Sequence, residues 1–164
     1  MRIDNVHSRV FAADSLEQVG TLIDSLAGDD DRLWPRENWP ALRLDRPLGV
    51  GATGGHGPIR YGVTEYEPAR RIRFAFTKPA GLDGYHEWEV RPVSGGYELR
   101  HRLVADTVGS TRVSWPVIWR WLHDALVEDA LDKAAVNLGC RGPRSSWPVY
   151  VRMLRRAVSL RGRP

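Results

Sequence analysis

Five histidines carry most of the reactive potential of this 164-residue chain. His86 and His101 stand in two stretches that alternate between apolar and polar residues, His86–Val90 and Tyr97–Leu103. A period of two puts His86, Trp88 and Val90 on one strand face, and Tyr97, Leu99, His101 and Leu103 on one face of the next. His123 falls in the apolar sector of a long helical pattern, beside Trp119, Leu126 and Val127. His56 follows a run of glycines, where it would sit at a pocket mouth, and His7 lies in a first strand where it can face either side. Imidazole titrates near neutrality, so such residues can orient a ligand or move a proton. Taken singly, each is explained by a paired hydrogen bond in a core. Taken together, His86, His101 and His123 aim at one concave face, and Tyr61, Trp88 and Tyr97 add polar tips among apolar walls. That is the make-up of a small-molecule pocket.

Other chemistries find little support. No H-x-x-x-H or comparable spacing brings metal ligands together locally, so neither a metal nor another cofactor is expected. No nucleophile elbow anchors a serine triad, and Cys140 has no argued base. Asp29, Asp30 and Asp31 read as a solvated loop rather than a cation site. A literal G-x-G-x-x-G occurs at Gly49–Gly54. The dinucleotide fold needs a helix after it, whereas Pro58 and the alternating Ile59–Glu67 indicate a strand. Catalytic residues therefore stay unassigned.

The elements that must position the histidines are legible by period. The longest is Trp115–Leu138, a helix with Ser114 as N-cap, Pro116 in the first turn and Gly139 just past the end. Trp115, Ile118, Trp119, Leu122, Leu126, Ala130 and Ala134 share its apolar sector, and Asp124, Glu128 and Asp132 form an acidic stripe pointing away from it. Ile3–Phe11 reads as a first strand, with Ile3, Val6 and Val10 as its apolar members. A helix follows, capped by Asp14 with Glu17 in capping-box spacing, and buries Leu16, Val19, Leu22, Ile23 and Leu26. Leu42–Asp45 is a short strand. Four alternating strands then place Tyr61, Phe74, Phe76, Trp88 and Leu99 inward, against arginines and glutamates outward. A half-wet antiparallel sheet must cover its other face, and the long helix is the element available.

Length favours one domain with a core large enough to need no staple. A single cysteine rules out an intrachain disulfide and suits a reducing compartment; with no signal-like or membrane-spanning run, a soluble cytoplasmic protein is expected. Charge is divided unevenly. Residues 1–138 carry a net −3, and residues 139–164 hold seven arginines and no acid. The high isoelectric point is therefore a property of the tail, and no nucleic-acid partner is expected. The tail reads as a basic amphipathic helix over Ser145–Leu160, with Ser146 as cap. Trp147, Val151, Leu154 and Val158 form one stripe, and Arg152, Arg155 and Arg156 the other. It is expected to dock on the protein or a second subunit, or to lie on an anionic membrane surface.

The order strand, helix, antiparallel strands, long helix resembles the START-like, or Bet v 1-like, helix-grip superfamily, and within it the bacterial polyketide cyclase and lipid-transport branch called SRPBCC. The likeness rests on Val19–Leu26, Trp34-Pro35, Trp39-Pro40, Gly55–Tyr61, Glu67-Pro68 followed by Arg71–Phe74, and the His123-Asp124-Ala125 and Glu128-Asp129 pairs. It covers residues 1–138; the basic tail lies outside it. It implies an α+β fold in which about seven curved antiparallel strands grip the helix around an apolar cavity for a lipid, polyketide or similar molecule. Some members are enzymes, but no shared catalytic motif can be carried over. The expected ligand-facing set is Tyr61, Phe74, Phe76, His86, Trp88, Leu99, His101, Trp119, Leu122, His123 and Leu126, with binding as the first reading and cyclase-like acid/base catalysis as the alternative.

Overall fold

The computed structural model describes residues 1–140 and 145–161, the last four of these by backbone alone. Seven strands form one antiparallel sheet: β1 (Arg2–Phe11), β2 (Arg43–Leu44), β3 (Thr53–His56), β4 (Ile59–Glu67), β5 (Arg71–Lys78), β6 (Leu82–Val93) and β7 (Gly96–Thr107), in the order β1-β7-β6-β5-β4-β3-β2. The glycine-rich segment enters β3, which pairs with β4 in a hairpin and not with a phosphate-binding helix. Register shifts between β4 and β5 bend the sheet, since an extra residue on one strand raises the local twist. The alternation holds where it was regular: Ile72, Phe74, Trp88, Val90, Leu99, His101 and Leu103 are buried. Outside, Arg73 pairs with Glu87 and Glu65, and Arg71 with Glu67.

Helix α1 (Leu16–Asp24) seals one end of the sheet. Its cap is Ser15, not Asp14. The Ser15 hydroxyl accepts from Gln18 N–H, and the Gln18 side chain accepts in return from Asp14 N–H, so the reciprocal box runs one residue later than expected. Gly20 is required here by close approach, because a Cβ would come within 1.7 Å of the Ala69 carbonyl oxygen. Asp31 also departs from expectation. It is buried, and its carboxylate accepts from Ala27, Leu33 and Trp34 N–H, fixing the loop that carries the first Trp-Pro pair.

The long helix starts earlier than its sequence pattern. Thr111–Ser114 (α2), a π-helical turn over Trp115–Trp119, and Arg120–Asn137 (α3) form one continuous rod. Pro116 therefore lies inside the helix, and Ser114 makes no side-chain cap. A proline ring cannot be accommodated by a regular turn, having no N–H and clashing with the carbonyl four residues back. The turn widens, and Arg120 N–H reaches Trp115 C=O, five residues back. Gly139 ends the rod with φ +71°, as its position predicts. No helix among the described residues is long and apolar enough to cross a membrane.

The edge strand β1 overturns two expectations at once. Val6 and Val10 are exposed, and the inward residues between Ile3 and Phe11 are Asn5, His7 and Arg9. The acidic stripe of α3 faces them. Asn5 donates to Asp124, His7 lies between Asp124 and Glu128, and Arg9 reaches Glu128 and Asp132. The spacings match: every second strand residue advances about 6.7 Å and every fourth helix residue about 6 Å. The stripe thus points away from the apolar sector but into a polar seam, not into solvent.

The tail forms helix α4 (Val149–Arg161), which packs on α3. Val151 is buried, Tyr150 OH donates to Val117 C=O, and the Trp147 indole donates to Asp129. The helix begins at Val149 rather than at Ser145, so Ser146 does not cap it. Arg155 is not on a free basic face: its guanidinium lies 3.8 Å from the Trp147 ring centre and 4.7 Å from that of Trp39, and it donates to Asn38 C=O. Arg152 and Arg156 are exposed. Val158 as a side chain, and Arg141, Arg144 and Arg163, lie outside the described residues.

Candidate functional site

Between the concave face and the rod lies a cavity of about 140 Å³. Its walls include Phe76, His86, Trp88, His101, Trp119, Leu122, His123 and Leu126 from the expected set. Tyr61, Phe74 and Leu99 are buried behind them in the core and do not line it. Tyr97 lies off the cavity as well. The sequence reading missed Trp34, Trp39, Leu82, Leu103, Trp115 and Val127 as wall residues. The two Trp-Pro pairs carried a signal for the first two, since large aromatics locked by proline beside a predicted sheet end are poor loop residues. Trp34 donates to Pro40 C=O and Trp39 to Asp129, which sets both rings. Pro40, Gly57 and Pro58 are exposed and line the cavity at its mouth.

All five histidines of the chain fall in one line through this region. His56 packs on Trp34 with ring centres 4.7 Å apart and reaches Tyr61 at 5.9 Å. Tyr61 to His86 is 4.8 Å, His86 to His101 5.4 Å, His101 to His123 5.0 Å and His123 to His7 6.2 Å. His86 stacks on Phe74, and its Nδ1 lies 3.3 Å from His101 Nε2, so one ring donates and the other accepts. His101 Nδ1 and both nitrogens of His123 are buried without a hydrogen-bond partner among the described residues.

Burial separates this line electrostatically. Loss of water pushes His56 down to about 3, and holds His86 and His101 well below the usual imidazole range, with neighbouring histidines adding to the effect. Burial lowers His123 too, opposed by the Asp124 carboxylate. These four are neutral at physiological pH. His7 goes the other way. Burial lowers it, but hydrogen bonds to Asp124 and Glu128 outweigh that and raise it, and with a carboxylate oxygen facing each ring nitrogen the geometry favours the protonated ring. Burial alone would raise Asp124; His123, His7 and Asn5 carry it well below the carboxylate range. The site is thus an apolar cavity with neutral imidazoles in its wall and a charged seam at its back.

Comparison with protein-family models and with curated protein sequences gives no match. Solved structures do match. CalU16 from Micromonospora echinospora aligns over 96% of this chain and 84% of its own, at 17% identity and a TM-score of 0.55. The di-domain ARO/CYC StfQ from the steffimycin biosynthetic pathway aligns over 84% of this chain at 15% identity and a TM-score of 0.61; the match spans 51% of StfQ. Ara h 8.0201 aligns over 85% of this chain and 97% of its own, at 10% identity and a TM-score of 0.53. With its seven-stranded curved sheet closed on a long helix, the chain has the helix-grip fold expected from its sequence.

Proposed function

We propose that this chain binds a small, mainly apolar molecule in the cavity, with His86, His101 and His123 orienting it. The observation that carries the reading is the wall itself: tryptophan, phenylalanine and leucine enclosing neutral imidazoles, two of which have unused nitrogens. A dry cavity of roughly 150 Å³ holds one benzene ring. At about 140 Å³, the enclosed part of any ligand is therefore of one-ring size, and a longer lipid or polyketide would leave the rest of its length at the mouth. Titration with indole, followed by NMR shifts of the tryptophan side chains, is expected to perturb Trp88 and Trp119. Leu126→Trp, which fills the cavity, is expected to remove that response. Shifts absent in the native chain, or persisting in the filled variant, would rule the reading out.

A second reading is favoured by one specific feature. His101 stands in the cavity wall with an Nδ1 that has no hydrogen-bond partner among the described residues, an atom that a carbonyl substrate can engage. Under this cyclase-like reading, the imidazole takes a proton from a carbon next to a carbonyl. StfQ, named an ARO/CYC, shares the fold. The native chain should then speed deuterium exchange at the α-carbons of cyclohexanone, and His101→Leu should return it to the buffer rate. Equal rates with and without the native chain would exclude this step.

A further inference from the structure

We infer that His7, His123 and Asp124 form a binding site for one divalent transition-metal ion, of the class that two imidazoles and a carboxylate select, Zn(II) or Fe(II). Each offers one ligand atom, and these atoms lie within 4.8 Å of one another. Asp124 Oδ1 is 3.1 Å from His7 Nε2 and 3.5 Å from His123 Nδ1. Four-coordinate zinc with ligands at about 2.1 Å needs them about 3.4 Å apart, so side-chain rotation alone closes the set.

Two observations point to a metal rather than to a seam of ion pairs. The first is His123. Its nitrogens are buried without a hydrogen bond among the described residues, the Asp124 carboxylate standing off at 3.5 Å from Nδ1, and such orphaned groups call for an explanation. A coordinated ion supplies it. The second is the support around the set. Glu128 Oε1 accepts from His7 Nδ1 at 2.7 Å, which directs Nε2 at Asp124. That is the carboxylate–histidine–metal arrangement by which proteins fix ring orientation and raise ligand basicity. Asn5 donates to Asp124 at 2.9 Å and steadies the carboxylate. On binding, the ion replaces the proton that His7 Nε2 now donates, and that proton leaves to solvent. His7 comes from β1 and the other two from α3, some 116 residues on in the chain, so no local ligand spacing exists to be read. The inference does not depend on the cavity ligand. Because His123 also lines the cavity, the ion would stand at its wall.

The test uses the full chain stripped with a chelator, then titrated with Zn²⁺ against a chromophoric competitor and with Co²⁺ by visible absorption. One ion per chain is expected. His123→Leu should weaken binding roughly 100-fold or more, yet leave the circular dichroism unchanged and the melting temperature equal or higher, since no hydrogen bond is lost. Glu128→Gln should keep the stoichiometry and weaken binding about 10- to 100-fold. No 1:1 binding, or an affinity that survives both His123→Leu and Asp124→Asn, overturns the site. Indole titration of the native chain is independent of these results, so failure of the metal site and failure of the cavity reading are told apart.

Discussion

Lowering the pH from 7.5 to 5 is expected to destabilise the metal-free protein, with His56 alone removing about 2 kcal/mol of unfolding free energy. His56, His86 and His101 carry this effect, because each is held neutral by burial. The sign follows from proton counting. In the unfolded chain each titrates near 6.5, and in the folded chain far lower, so below pH 6.5 the unfolded state binds protons that the folded state does not. Stability is therefore complete above that pH and falls below it. At pH 5 the loss from His56 is about 2 kcal/mol, His86 and His101 add to it in the same direction, and His7, raised by its two carboxylates, opposes it; a typical domain has only about 5–15 kcal/mol in all. Among the described residues no carboxylate compensates the trio; Arg60 lowers His56 further, and so does His123 once it takes a proton. His86 and His101 cannot both charge at 3.3 Å without repulsion. Urea unfolding at several pH values measures the effect directly. His86→Phe keeps a ring against Phe74 and should reduce the pH slope by about one proton. A stability that stays flat between pH 7.5 and 5 would contradict the neutral assignment.

The same burial explains why these histidines were legible. In β5, β6 and β7 a period of two reports which residues face the core, and His86 and His101 inherit the direction of Trp88 and Leu99; the outward Glu87 is buried all the same, under its pair with Arg73. The depth of each residue was not legible. Tyr61, Phe74 and Leu99 share the inward direction with the wall residues, but alternation gives no distance from the rod, and they lie a layer behind the cavity. Trp115 entered the wall through a π turn that depends on where the helix starts. Pro116 suggested a start at Trp115, and the four residues of α2 that precede it carry no apolar period. The loop tryptophans were fixed by hydrogen bonds to Pro40 and Asp129, partners that periodicity does not encode.

Strand β1 is where patterning failed outright, and it yields the counter-intuitive experiment. His7→Val introduces a residue that is more apolar and a better strand former, yet it is expected to cost about 2–3 kcal/mol. Val6→Thr, which removes an apparent core residue, is expected to stay within about 0.5 kcal/mol. The reason lies in what covers each face. Val6 is 44% exposed, so its side chain gains little from folding. His7 donates to Asp124 at 3.1 Å and to Glu128 at 2.7 Å, in a seam only partly open to solvent. Removing it leaves two carboxylates short of a cation. Breaking a fully buried pair costs about 3–5 kcal/mol. Here Asp124 keeps Asn5 and Arg120, and Glu128 keeps Arg9, so the loss is smaller. An apolar helix face would have selected Val6 and Val10, which share the strand face opposite to Ile3. The face actually opposite is acidic, and it selects Asn5, His7 and Arg9 instead. Equilibrium urea unfolding of both variants at pH 7, with chelator present, decides the matter. Equal losses, or a larger loss for Val6→Thr, would mean that β1 is held by its valines and that the polar seam is incidental to the grip of sheet on helix.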